Sequence, residues 1–167
     1  VLDGAECSER VCHLLRHDRV GALTGQLDDR VVASKIDIGA VAEPTGQRHR
    51  AARADVIVVS LPRSSDVESV VRGPKGLLAG LRRGAIVVDT TSGEPSVSAA
   101  LALEVAVVGG AYLDAGVSGG VAGAEAGTLK IMAGGDPSAF ERARPVLDLL
   151  GTRIWHCGPA GTGHAMK

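Results

Sequence analysis

Aromatic side chains are almost absent from this chain of 167 residues. Tyr112, Phe140 and Trp155 are the only three, so the stacking platforms on which proteins bind unpaired bases are not expected. The charge is also balanced, since 18 Lys and Arg residues stand against 19 Asp and Glu residues and leave a net charge of −1. No basic run offers a surface for a phosphate backbone. The sequence therefore predicts no nucleic-acid partner.

Long apolar runs and a cysteine framework are lacking as well. No apolar run approaches the roughly 20 residues that a membrane helix needs, and charges are spread through the first residues, where a signal peptide would be apolar. The cysteines Cys7, Cys12 and Cys157 are odd in number and lack the spacing of metal ligands. Free thiols are typical of a reducing compartment. We therefore predict a cytoplasmic protein with no membrane contact and no bound metal.

Short β-branched runs alternate with helical patterns from residue 55 onward. Val56–Val59 and Ala85–Val88 are continuously apolar, as expected for parallel strands buried on both faces of a sheet. Further strands are predicted at Tyr112-Leu113, at 129–132 and at Ile154-Trp155. In a sheet of this kind, ligands bind at the carboxyl ends of the strands, where the loops gather.

Between these strands the sequence predicts helices over 64–72, 77–81, 95–108 and 137–150. The last is the best marked, because Asp136 is a good N-cap, Pro137 takes the first helical position and Gly151 provides a stop. Repeated alternation of strand and helix predicts one α/β domain over residues 1–167. Its core would be an open parallel sheet with helices on both faces.

The segment 110–135 consists largely of Gly, Ala, Ser and Val. Side chains this small let a ligand approach the backbone, and the N–H groups of Ser118, Gly119 and Gly120 could form an anion-binding concavity. The alternative is a tight turn without function, which glycine content alone favours. The loops at 61–62, 90–92 and 117–123 all follow predicted strands, and that placement favours a site.

Eight short motifs stand in order along the chain. They are ADVI at 54–57, LP at 61–62, GLL at 76–78, DTTS at 89–92, DAGVSGG at 114–120, GAEAGTL at 123–129, MAGG at 132–135 and GPAGTGHAMK at 158–167. Each alone is weak, but the ordered set is specific. Together they resemble the nucleotide-binding domain of the β-hydroxyacid dehydrogenases, the group of 3-hydroxyisobutyrate dehydrogenase and tartronate semialdehyde reductase.

The resemblance implies a Rossmann-type, doubly wound, mostly parallel sheet that binds NAD or NADP, with a small 3-hydroxy acid as the substrate. By position, the residues that would contact the cofactor are Gly4, Leu61, Pro62, Asp66 and Thr91. Those that would hold the substrate carboxylate are Ser118, Gly119 and Gly120. Lys167 would be the catalytic lysine, carried in the first turn of a helix that the glycines of 158–163 lead into.

The chemistry accounts for a lysine in this role. Hydride transfer is the cofactor's reaction, so the protein must orient the substrate and handle one proton. A lysine ammonium beside the substrate oxygen can stabilise developing alkoxide charge and carry that proton. Without the motif before it, Lys167 would be taken for an ordinary surface lysine. His156 and His164 are alternative proton carriers, although lone histidines are more often structural or solvated.

The N-terminal part departs from the family. The family's Gly-x-Gly-x-x-Gly fingerprint falls on residues 2–7, where only Gly4 remains and where Asp3 and Glu6 would repel a pyrophosphate. The strand before the fingerprint is missing. Thr24-Gly25 occupies the position that selects between the cofactors, so neither NAD nor NADP is indicated.

Two further departures follow later in the chain. Gly116 stands where the family usually has proline, and we expect it to loosen the loop that leads to Ser118. The family's C-terminal helical domain, which builds the dimer, does not follow Lys167 in this sequence.

Three interpretations remain. The first is an NAD(P)-dependent 3-hydroxy acid dehydrogenase, present as a piece or an incomplete gene product, and a homodimer if the full family architecture applies. The second is a catalytically inactive remnant that acts as a binding or interaction module, motivated by Asp3, Glu6 and Cys7 in place of the fingerprint. The third is a relative of the imine reductases. Such relatives usually replace the lysine, so Lys167 favours hydroxy acid chemistry.

Overall fold

A computed structural model describes residues 31–33 and 52–167 of the chain. In this part, six strands form one sheet whose spatial order follows the sequence. They are β1 (Val31–Ala33), β2 (Val56–Val59), β3 (Ile86–Asp89), β4 (Ala111–Ser118), β5 (Leu129–Gly134) and β6 (Gly151–Gly158). Strands β1 to β4 are parallel, β5 is antiparallel to β4, and β6 is parallel to β5. The mostly parallel α/β sheet expected from the sequence is confirmed, and β5 is its one reversed connection among these strands.

An α-helix follows each strand from β2 to β6. These helices are α1 (Ser64–Arg72), α2 (Pro95–Val107), α3 (Gly120–Ala126), α4 (Pro137–Leu150) and α5 (Thr162–Met166), with a short 3-10 helix at Leu77–Ala79. Helix α4 has the predicted bounds, because the Asp136 carboxylate accepts a hydrogen bond from the backbone N–H of Ala139 at 2.9 Å and so caps the first turn. Among the described residues, no helix is both long and apolar enough to cross a bilayer.

Alternate residues of each strand point to opposite faces of the sheet, and each face carries its own apolar core. On one face Val58, Val88 and Leu113 pack with Phe140 and Leu147 of α4. On the other face the intervening strand residues pack with side chains of α1 and α2; this core includes Ile57, Val59, Val87, Tyr112, Val67, Val71, Leu101 and Val105. Every residue of β2 and β3 is buried. Continuous apolar runs therefore mark strands covered by helices on both sides, as predicted.

The structure differs from the sequence predictions in the lengths of several elements. The helix predicted over 77–81 is a single 3-10 turn. Strands β4 and β6 each have eight residues, whereas only 112–113 and 154–155 were predicted: Asp114 and Gly116 continue β4, and Gly151 and Gly158 are the ends of β6. Within the small-residue segment 110–135, residues 120–126 form helix α3, although a turn was the alternative that glycine content favoured.

Several predictions concern residues outside the described part of the chain. These are the cofactor contact at Gly4, the degenerate fingerprint at 2–7 and its missing strand, the cofactor-selecting position at 24–25, and the thiols of Cys7 and Cys12. They stay predictions.

Candidate active site

Two buried aspartates lie side by side in the middle of the sheet. Asp89 is the last residue of β3 and is paired in register with Asp114 of β4. Their exposed fractions are 2% and 0%. A buried carboxylate is costly unless donors surround it, and each of these two accepts two hydrogen bonds. They therefore act as anchors for the segments that follow the strands.

Asp114 anchors helix α5. Its Oδ1 accepts a hydrogen bond from the backbone N–H of Gly161 at 2.7 Å, and its Oδ2 accepts one from the backbone N–H of His164 at 2.9 Å. These two N–H groups belong to the start of a helix, where no carbonyl of the helix can reach them. Helix α5 also lies close to the sheet, since a Cβ atom on Gly163 would collide with the carbonyl oxygens of Asp114 and Met132.

Asp89 anchors the loop 89–94. Its Oδ1 accepts a hydrogen bond from the backbone N–H of Thr91 at 3.0 Å, and its Oδ2 accepts one from the Tyr112 hydroxyl at 2.6 Å. Burial, and then the negative charge of Asp89, raises the pKa of the Tyr112 hydroxyl well above its usual range. The tyrosine therefore stays a neutral donor to the carboxylate.

The loops after β2 and β3 are joined at the carboxyl edge of the sheet. The backbone N–H of Leu61 donates to Thr91 Oγ1 at 3.0 Å, and the hydroxyl of Thr90 donates to the carbonyl of Val59 at 3.0 Å. Leu61 and Thr91, both predicted to contact the cofactor, are thus brought together, but both are buried. The Thr91 hydroxyl already accepts the hydrogen bond from Leu61, and the exposed residues of these two loops include Pro62, Arg63, Ser92 and Glu94.

Asp66, a further predicted cofactor contact, lies in the first turn of α1. Its carboxylate forms an ion pair with Arg63, with 3.1 Å between Nη2 and Oδ1. Arg63 is 73% exposed, whereas Asp66 is only 14% exposed. The guanidinium beside the carboxylate cancels the negative charge that would otherwise face an anionic ligand at this edge.

Lys167 follows α5, beyond the first turn in which the sequence placed it, and its ammonium donates to the Ser92 hydroxyl. Its side chain packs on Gly116, where an added Cβ atom would lie 3.1 Å from Lys167 Cβ. Gly116 is paired with Met132 inside the sheet. The expectation that Gly116 loosens a loop is therefore wrong: this glycine is a strand residue that gives room to the lysine.

The predicted carboxylate-binding residues form the turn from β4 into α3, and all three are exposed. Gly119 has φ of +142° and Gly120 has φ of +61°, conformations that glycine adopts without strain. Ser118 is two residues beyond Gly116 in the same strand, so its side chain points to the face on which Lys167 packs, about 7 Å further along. The structure thus brings Ser118, Ser92 and Lys167 to one edge of the sheet.

The two histidines considered as proton carriers are engaged in contacts with other protein groups. His164 is 7% exposed, and its Nδ1 lies 2.8 Å from the hydroxyl of Ser98 in α2. The Nε2 of His156 lies 2.8 Å from the carbonyl oxygen of Gly135, and its ring contacts Phe140.

Sequence reasoning did not assign roles to Ser92, Asp89, Asp114, Tyr112 or Ser98. Asp89, Ser92 and Asp114 belong to the motifs quoted above. The signal that could have identified the two aspartates is an acidic residue directly after an apolar run, because a buried carboxylate requires hydrogen-bond donors.

Comparisons with known proteins bear on this site. The family model described as the NAD binding domain of 6-phosphogluconate dehydrogenase matches residues 22–158. Over 136 residues the chain is 43% identical to 2-(hydroxymethyl)glutarate dehydrogenase of Eubacterium barkeri, covering 81% of this chain and 45% of that protein. Over 158 residues it is 36% identical to 2-hydroxy-3-oxopropionate reductase of Escherichia coli (strain K12), covering 95% of this chain and 51% of that protein.

A solved structure gives the same result. The Mycobacterium tuberculosis 3-hydroxyisobutyrate dehydrogenase, solved with L-serine, superposes with a TM-score of 0.74 at 31% identity, over 94% of this chain and 53% of that chain. The chain thus spans about half the length of these relatives.

Proposed function

Since the chain belongs to the family defined by the NAD binding domain of 6-phosphogluconate dehydrogenase, we propose that it is the nucleotide-binding part of an NAD(P)-dependent 3-hydroxy acid dehydrogenase. The resemblance inferred from the ordered motifs is confirmed, as is the Rossmann-type fold. One observation carries the proposal: the Lys167 ammonium is held by Ser92 on the sheet edge that also carries Ser118.

The exposed edge at the ends of β2 and β3 suits a nicotinamide cofactor. The loops there are locked together by the Leu61–Thr91 hydrogen bond, and the acidic group at the start of α1 is paired with Arg63. Pro62 and Ser92 are exposed and uncharged, and in the proposal a nicotinamide and its ribose lie against these two residues. When bound, NAD or NADP supplies the hydride acceptor for the reaction.

The substrate side requires a carboxylate site and a proton carrier. In the proposal, Ser118 and the backbone N–H groups of the turn at Gly119 and Gly120 bind the carboxylate of a small 3-hydroxy acid. Lys167 then faces the hydroxyl that is oxidised; as a neutral amine it takes up the hydroxyl proton while the carbonyl forms, and the ammonium so produced returns that proton in the reverse direction. An ammonium at this position also stabilises the alkoxide-like oxygen of the transition state.

Lys167→Met is the direct test, with Lys75→Met as the matched control because Lys75 is an exposed lysine between α1 and the 3-10 helix. Turnover is followed by the nicotinamide absorbance with NAD or NADP and a panel of small 3-hydroxy acids. Removal of a proton carrier costs about 10²–10⁴-fold, so we expect Lys167→Met to lower kcat by at least about 100-fold and Lys75→Met to leave it unchanged. Equal activity of the two variants would refute the role of Lys167.

Cofactor binding is tested separately by calorimetric titration with NAD and with NADP. A clear preference for one of them would show whether the protein uses NAD or NADP, which residues 24–25 do not indicate. Failure to bind either, even at millimolar concentration, would favour the inactive module over the enzyme.

A second candidate function is an interaction module without catalysis, and helix α2 favours it. Leu103 and Val107 of this helix are 73% and 86% exposed, and a helix that is apolar on all sides is normally covered. Concentration-dependent association in light scattering, combined with no cofactor binding, would support this function.

The proposal of a dehydrogenase also includes homodimerisation, a cytoplasmic location and the assignment of residues 1–167 to a single nucleotide-binding domain. The same light scattering experiment tests homodimerisation.

A further inference from the structure

His164 is a buried histidine that the proposed reaction does not use. It is 7% exposed, and its Nδ1 lies 2.8 Å from the Ser98 hydroxyl of α2. Its Nε2 is fully buried, with no hydrogen-bond partner among the described residues. A buried polar ring with an unsatisfied nitrogen is unfavourable, whereas an alanine or leucine at this position of a helix would leave no polar atom unsatisfied. The contact that the ring makes with the loop 89–94 indicates its role.

The imidazole fills the space beside Gly93. A Cβ atom added to Gly93 would lie 2.5 Å from both Cε1 and Nδ1 of His164, so the ring leaves room for no side chain at residue 93. Gly93 directly follows Ser92, whose hydroxyl accepts the hydrogen bond from Lys167.

Helix α5 and Lys167, which directly follows it, therefore reach the loop 89–94 through two neighbouring contacts. His164 packs on Gly93, and Lys167, three residues later, binds Ser92. Lys167 is the C-cap of α5, and residues three apart along a helical turn lie on the same side, so one short segment can make both contacts. The Ser98 bond fixes the ring from α2, and the Asp114 bond fixes its backbone from β4.

We propose that His164 is a positioning residue that sets the distance between the Ser92 hydroxyl and the Lys167 ammonium through its contact with Gly93. The proposal rests on the proposed role of Lys167. Its physical basis is that a misplacement of about 1 Å in a catalytic group can cost about 10²-fold in rate. The ring itself neither contacts substrate nor carries its proton.

A double-mutant cycle tests the contact. Gly93→Ala forces the loop away from the ring, and we expect kcat to fall about 10-fold while the KM for the hydroxy acid stays within a factor of about two. His164→Ala removes the imidazole ring that packs on Gly93, and we expect kcat to fall to a similar extent. In the double variant the new methyl group occupies part of the vacated space, so its kcat should be no lower than that of His164→Ala alone.

The alternatives give different results. Multiplicative losses in the double variant, or a lowered melting temperature of His164→Ala with unchanged kcat, would overturn the positioning role. His164→Asn keeps a polar group near the position of Nδ1 and should recover part of the kcat that alanine loses. If His164→Ala does not fold, Ser98→Ala releases the ring from the other side and takes its place in a cycle with Gly93→Ala.

Lys167→Met separates the two proposals. If that variant remains active, the proposed function fails, whatever the cycle shows. If it is inactive and the cycle is multiplicative, only the positioning role of His164 fails.

Discussion

The two segments that border the candidate site, the loop 89–94 and the turn 118–120, are held in place by different means. The loop is fixed by buried side chains, since Asp89 binds both Thr91 and Tyr112 while Thr91 binds Leu61. The turn is fixed by backbone conformations that need glycine. The loop should therefore be sensitive to the loss of a polar group, and the turn to the gain of a methyl group.

The largest effect is expected from Asp89→Ala. It leaves two buried donors without a partner, the Thr91 N–H and the Tyr112 hydroxyl, at about 1–3 kcal/mol each. We expect the free energy of unfolding, measured by urea denaturation, to fall by about 4 kcal/mol. Asp89→Asn keeps one acceptor oxygen, and its free energy of unfolding should fall by about half as much. A small and equal loss in both variants would show that the carboxylate does not anchor the loop.

For the turn, Gly119→Ala should cost about 2–3 kcal/mol. Its φ of +142° is unfavourable for any other residue, and the new Cβ would lie 3.1 Å from Leu129 Cδ2. Gly120→Ala is the matched control, because φ there is +61° and no atom lies within 4 Å of the added Cβ; about 1 kcal/mol is expected. If alanine is equally well tolerated at both positions in urea denaturation, the turn does not depend on its glycine conformation.

The hydrogen bond between Tyr112 and Asp89 makes the stability of the protein depend on pH. Burial and the Asp89 charge raise the pKa of the tyrosine hydroxyl in the folded state, whereas the unfolded chain releases this proton near pH 10. Its contribution to stability is therefore complete below about pH 10 and is lost as the pH rises above it, at about 1.4 kcal/mol per pH unit. Because Tyr112 is the only tyrosine, its ultraviolet absorbance reports this directly: we expect no tyrosinate signal before unfolding. Deprotonation of Tyr112 near pH 10 while the protein is still folded would contradict the hydrogen bond between its buried hydroxyl and Asp89.

The smallest effect is expected from Thr91→Val, at about 1 kcal/mol. It removes the acceptor of the Leu61 N–H without creating a cavity. Thr91→Ser retains the hydroxyl and serves as the control. In urea denaturation the serine variant should be the more stable of the two, and a reversed order would mean that the methyl group of Thr91 matters more than its hydroxyl.

The sequence predicts most where the signals are local. Helix α4 was predicted to the residue because Asp136, Pro137 and Gly151 mark its ends within the helix itself. Strands β2 and β3 were predicted because four consecutive apolar residues are typical of a strand buried on both faces; β2 has the predicted bounds, and β3 begins one residue later than predicted. The reversal of β5 has no such signal, since α3 separates it from β4 in the same way that crossover helices separate the parallel strands.

The site could be predicted only in part, for a related reason. The motifs located its loops, but Asp89, Tyr112, Ser98 and His164 are brought together by strand register and helix packing, which no local pattern encodes. Thr91 and Ser92 are adjacent hydroxyl residues, and only the fold shows that the first is buried and the second exposed. The roles of Lys167 and of Ser118 to Gly120 stay predictions for the experiments above.

The reversal of β5 also bears on the order in which the chain folds. Ser118 pairs with Lys130, whereas Val56 must find Ile86 and Ile86 must find Ala111. A shorter loop loses less entropy on closing, and local contacts favour fast folding. We therefore expect β4, α3 and β5 to form the folding nucleus. The turn at 118–120 would then exist before the loops after β2 and β3 are joined, so mutations in it should slow folding, whereas mutations in the loop 89–94 should mainly accelerate unfolding.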